Sequence, residues 1–149
     1  MIITAAPTDI DPMAQAGGML ERFGVSYDEF TISPHRSPRH LADFVGELEP
    51  RGVEVVIAGA SMGAALAGVV AANTVLPVIG CPLKGGTMDG LDALLAMSQM
   101  PAGVPVATVG LGHAINAAVL AVQMLAMADP DLRARLWKFK EDFELAAHT

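Results

Sequence analysis

Six consecutive residues, Ser33-Pro34-His35-Arg36-Ser37-Pro38, concentrate more usable chemistry than any other stretch of the chain. An imidazole changes charge near neutral pH and moves protons. A guanidinium grips phosphate or carboxylate through two parallel N–H bonds. Hydroxyls at Ser33 and Ser37 flank the pair, and two prolines stiffen the backbone. A His-Arg pair standing alone is most simply a surface turn with two incidental polar residues. What lifts it above that reading is the company it keeps. Thr8 and Asp9 follow the first apolar run, and Gly59, Ala60, Ser61 and Gly63 follow the third.

The elements that position these residues follow from periodicity. Met1 to Ala6 and Val25 to Ile32 read as strands, the second with one wet face. Val53 to Ala58 and Leu76 to Gly80 are nearly continuous apolar runs, as expected of strands covered on both faces. Gly103 to Gly110 is a fifth strand. Between them, Met13 to Phe23, Arg39 to Leu48, Ala64 to Ala72 and Leu91 to Met100 carry helical spacing. A helix from His113 to Met127 and another from Pro130 towards Ala147 close the chain. Ser37 and Pro38 are N-cap and first-turn residue types, so the His-Arg loop ends at a helix N-terminus, which suits an anion. Gly59 to Gly63 reads as a small-residue loop that lets a flat ring lie against bare backbone.

Alternating strands and helices predict a three-layer αβα sandwich. Its five-stranded, mainly parallel sheet is flavodoxin-like, with order 2-1-3-4-5 and an added C-terminal helix. In that order strand 1 lies between strands 2 and 3, so their C-terminal loops converge on one cleft. The chain reads as a single domain over residues 1–149, with residues 129–147 as a helix expected to pack on a neighbouring subunit.

Other chemistries lack their residues. No GxGxxG opens the first helix and there is no P-loop. His35, His40, His113 and His148 share no metal-ligand spacing, so no metal is expected. His40 is expected to be solvated, His148 lies in the tail, and His113, near the end of strand 5, has a minor claim to a site. A phosphorylation receiver would need an Asp after strand 3 and a Lys after strand 5. Ser61-Met62 stand at the first place, and no Lys at the second. The net charge of −7 argues against nucleic acid and leaves any phosphate to local donors. Cys81, the single cysteine, reads as a buried inert thiol. With neither a signal-peptide pattern nor a membrane-spanning apolar run, a soluble cytoplasmic protein is expected.

From Ile2 to about Phe143 the chain resembles the N5-carboxyaminoimidazole ribonucleotide mutase family, the catalytic subunit of the phosphoribosylaminoimidazole carboxylase step of purine synthesis. The likeness is carried by SPHRSP, VEVVIAGA (Val53 to Ala60), LPVIGCP (Leu76 to Pro82) and DGLDALLAMSQMPAGVPVAT (Asp89 to Thr108). It implies a cofactor-free rearrangement in which a carboxylate moves from an exocyclic nitrogen to an imidazole ring carbon. In the family's proposed path the ring loses carbon dioxide inside a closed pocket and then recaptures it. The resemblance implies His35 as the acid–base residue and a phosphate held by Arg36 and Ser33. Ala6, Thr8 and Asp9 stand at its ribose and phosphate positions, and Gly59, Ala60 and Ser61 at its base pocket. It also implies a homo-octamer acting on a small ribonucleotide, with the Leu132 to Phe143 stripe packed on neighbouring subunits.

The chain departs from the family pattern at definite places. Ala6 lacks a hydroxyl and Pro7 lacks an N–H where the family has a Ser-rich loop. Ser61 and Met62 stand where it has two glycines, and Ala65 where it has a second histidine. Gly85 and Gly86 replace a serine and a basic residue. These departures leave two alternatives to the mutase: a related carboxylase or mutase for a different nucleotide, and a non-catalytic nucleotide-binding paralogue.

Overall fold

The computed structural model describes residues 1–147, so His148 lies outside the described residues. Strand β1 (Ile2–Thr4) leads through a short 3-10 turn at Pro7–Asp9 into α1 (Ile10–Arg22). β2 (Glu29–Thr31), α2 (Pro38–Gly46), β3 (Val56–Ala60), α3 (Ala65–Ala72), β4 (Val78–Pro82), α4 (Leu91–Ser98), β5 (Ala107–Thr108) and α5 (Ala114–Leu125) follow. The last element is α6 (Pro130–Ala147). The strands form one parallel sheet in the order β2-β1-β3-β4-β5, the flavodoxin-like order predicted from sequence.

Side chains alternate across the sheet, and each face buries its own helices. Ile2, Ile57, Ile79 and Cys81 face α1, α5 and α6. Ile3, Val56, Ala58 and Val78 face α2, α3 and α4. Each fully buried Ile or Leu contributes about 1.5–3 kcal/mol relative to exposure. With few aromatics, close approach does much of the packing. Ala16 of α1 meets Ala117, Ala118 and Ala121 of α5 in one buried cluster. Burial pushes the Cys81 thiol up to about 12, so it stays protonated.

Several element boundaries differ from the sequence expectations. α1 starts at Ile10 because Pro12 falls in the first turn, where a missing N–H costs nothing. β2 shrinks from Val25–Ile32 to three exposed residues at the sheet edge, because β1 offers only three partners. β5, at the other edge, is two residues long rather than Gly103 to Gly110. β3 starts and ends later than expected and runs to Ala60, so Gly59 and Ala60 are strand residues.

Most of the stripe on α6 packs within the chain. Leu132, Leu136 and Phe139 are buried against the chain's own α1 and α5 layer. Phe23 meets Phe139 edge-on, with centroids 5.1 Å apart, and the Arg22 guanidinium lies over the Phe139 ring. An amphipathic helix beside an apolar helix pair buries its stripe at home first. Met127, Trp137 and Phe143 remain exposed.

Candidate active site

Four loops meet at the C-terminal edge of the sheet. After β1, the 3-10 turn carries Thr8 outward and Asp9 inward. Asp9 occupies the N-cap position of α1 but its carboxylate does not cap the helix. It reaches the loop after β3, where the Ser61 hydroxyl donates to Oδ1 at 2.8 Å. Asp9 is only 2% exposed, and Oδ2 has no hydrogen-bond partner. Burial pushes the carboxyl above its ordinary range. The Ser61 hydroxyl and, after it, backbone groups of Ala6 and Ser61 pull it back. An orphaned buried carboxylate oxygen costs stability, which makes Asp9 a candidate ligand-binding group.

After β2, the chain folds into a tight turn. The Ser37 amide donates to the Ser33 carbonyl at 3.0 Å, and the Arg36 amide to the Ser33 hydroxyl at 3.3 Å. Pro34 is buried and anchors the turn, while His35 and Arg36 project outward and are exposed. Ser37 holds the N-cap position of α2 and Pro38 follows it, but the Ser37 hydroxyl makes no capping bond. Pro38 has no N–H, so the N–H groups of Arg39 and His40 are the ones that stay available to an anion beside Arg36.

After β3, Met62 and Ala64 adopt left-handed backbone, with φ of 56° and 43°. Residues with side chains rarely do so, and such strain gathers at functional loops. The Cε1 atom of His35 lies 3.9 Å from where a side chain on Gly63 would begin. After β4, a Cβ on Gly85 would lie 3.3 Å from the Ser61 Cβ, and one on Gly86 3.1 Å from the Met62 Cγ. The first, third and fourth loops thus touch around Ser61, and the second touches the third at Gly63.

The structure places the predicted residues unevenly. Asp9, Ser61, His35, Arg36 and Ser33 lie on converging loops, with Ala6 and Thr8 beside Asp9. Gly59 and Ala60 differ from the expected small-residue loop, because both lie in β3. Gly59 pairs with Thr4 and Cys81, and a Cβ there would lie 2.5 Å from the Met13 side chain. Ala60 is fully buried, and its carbonyl accepts the Leu83 amide at 3.0 Å. Both hold the start of the loop in place. His113 takes the N-cap position of α5, at a separate hollow of about 260 Å³ lined by Gln15, Gly112, Ile115 and Asn116. Sequence reasoning missed the role of Gly85 and Gly86 as seats for Ser61 and Met62. The signal was available: glycines appear in one loop where bulk appears in the other.

The model of one family, AIR carboxylase, matches residues 1–145. This chain belongs to the AIR carboxylase family. Among AIR carboxylase relatives, it is 46% identical over 143 residues to the N5-carboxyaminoimidazole ribonucleotide mutase of Pyrococcus abyssi, covering 96% of this chain and 82% of that protein. It is 47% identical over 140 residues to the mutase of the same name from Mycobacterium tuberculosis, covering 94% and 80%. The crystal structure of Treponema denticola PurE superposes with a TM-score of 0.87 over 98% of this chain and 91% of that one, at 22% identity. That last likeness speaks for the AIR carboxylase fold alone.

Proposed function

We propose that the protein is an N5-carboxyaminoimidazole ribonucleotide mutase of purine synthesis. The observation that carries this is the 46% identity to a mutase across nearly the whole chain. The convergence of His35, Arg36, Asp9 and Ser61 on one edge supports it. In this reading the N–carboxylate bond breaks, carbon dioxide leaves and its electron pair stays on nitrogen. The ring carbon then attacks the trapped carbon dioxide and forms the new carbon–carbon bond. His35 takes the proton displaced from that carbon and returns one to nitrogen, so product and substrate are isomers and no cofactor is required. Arg36, the Ser33 hydroxyl and the free N–H groups of α2 hold the phosphate. Thr8 and Asp9 meet the ribose and phosphate beside Ala6, and the segment from Ser61 to Gly63, seated on Gly59 and Ala60, borders the base.

Carbon dioxide must not escape and water must stay out. His35 and Arg36 are exposed on a single chain, so a closed cage needs further cover. We assign that cover to other copies of the chain in a homo-octamer, with exposed Trp137 and Phe143 of α6 contributing to subunit contacts. A cytoplasmic location goes with this reading. The test is to incubate N5-carboxyaminoimidazole ribonucleotide with the protein and follow its ring-carboxylated isomer. Conversion well above the buffer rate is expected, and conversion at the buffer rate would overturn the assignment.

A further inference from the structure

We propose that Ser61 is an internal competitor that holds the Asp9 carboxylate until hydroxyls of a ligand's sugar displace it. The proposal rests on the mutase reading for the ligand's class. It starts from the hydrogen bonds of Asp9. One oxygen accepts from the Ser61 hydroxyl, with backbone groups of Ala6 and Ser61 also near the carboxyl, and the other has no partner among the described residues, although the side chain is 2% exposed. A carboxylate accepts at both oxygens, and a pair of adjacent hydroxyls supplies one donor to each. Exchange of Ser61 for such a pair replaces the existing bond and satisfies the orphaned oxygen. A single sugar hydroxyl only restores what Ser61 already gave, and a sugar with neither hydroxyl gives nothing.

The covering segment is built to move. Met62 and Ala64 sit in left-handed backbone that side-chain-bearing residues disfavour, so rearrangement can release strain. Gly85 and Gly86 pack closely on Ser61 and Met62, so that a side chain at either glycine would crowd the segment and hold it in place. Gly63, in the same segment, lies against His35. Displacement of Ser61 by the sugar would therefore be felt at the imidazole, which ties sugar recognition to the proton-transfer group.

The test is calorimetric titration of the full chain and of Ser61→Ala with 5-aminoimidazole ribonucleotide and its 2′,3′-dideoxy analogue. Removal of the competitor should tighten ribonucleotide binding about tenfold, the scale of one hydrogen bond to a charged group. Binding of the dideoxy analogue should not change, and Ser61→Thr, which keeps the hydroxyl, should bind like the parent. Should Ser61→Ala fail to fold, Ser61→Val against Ser61→Thr makes the same comparison at equal shape. Ribonucleotide binding no tighter than the parent's, or equal tightening for the dideoxy analogue, would overturn the competitor role while leaving the mutase reading intact. Failure of every chain to bind the ribonucleotide would remove both.

Discussion

The two sides of the candidate site are built on opposite plans. On the β2 side, His35 and Arg36 stand exposed on a turn held by backbone and Ser33 bonds, with their side chains unspent. On the β1–β3 side, Asp9 and Ser61 are already engaged, and the acid is buried and only half satisfied. One side thus leaves its imidazole and guanidinium exposed, while the other holds a buried, half-satisfied carboxylate at a cost in stability. This division matches a general trade between activity and stability at functional sites. Substitutions on the two sides should therefore separate catalysis from folding.

The sharpest break falls on the β2 side. His35→Asn should reduce turnover by about 10²–10⁴-fold, the usual contribution of a general acid–base, with an unchanged melting temperature because the ring is exposed. Steady-state rates beside a thermal melt check both halves. Next comes a substitution beneath the loops. Gly59→Ala would drive a methyl into Met13 and should cost about 1–3 kcal/mol of stability by overpacking, seen as a lower urea midpoint.

Asp9 gives a pH signature of definite sign. Its carboxyl is raised in the fold, so the unfolded chain loses that proton at lower pH than the folded one does. The penalty is absent below the ordinary Asp value of about 3.9, grows as pH rises towards the raised native value and is constant above it. Asp9→Asn should remove that penalty, melting higher than the parent at neutral pH but not at pH 3, while losing ribonucleotide affinity. Melting curves of both chains across that range measure the difference directly. The smallest effect belongs to Met62→Gly. Relief of the left-handed backbone should stabilise the fold by up to about 1 kcal/mol, since Met62 is exposed and little packing is lost.

Much of this architecture was legible in the sequence because it rests on periodicity. Buried β3 and β4 read as continuous apolar runs, and Pro38 and Gly24 marked where α2 begins and the turn after α1 falls. The convergence of Asp9, His35 and Ser61 followed from strand order alone. What escaped depends on contacts between distant residues. Whether Gly59 serves a ligand or Met13 is invisible without the packing of α1 on the sheet. The α6 stripe could face its own chain or another until α1 and α5 were seen to receive it. The pairing of Ser61 with Gly85, and of Met62 with Gly86, links loops some two dozen residues apart, beyond any local pattern.

The proposed reaction moves one carboxyl group from nitrogen to ring carbon without releasing it to solution. N5-carboxyaminoimidazole ribonucleotide labelled with 13C in that carboxyl, turned over in unlabelled bicarbonate, tests it most directly. The predicted product keeps the label on the ring carbon when read by NMR. Product carrying unlabelled carboxyl from the buffer, or no product beyond the uncatalysed amount, would contradict it.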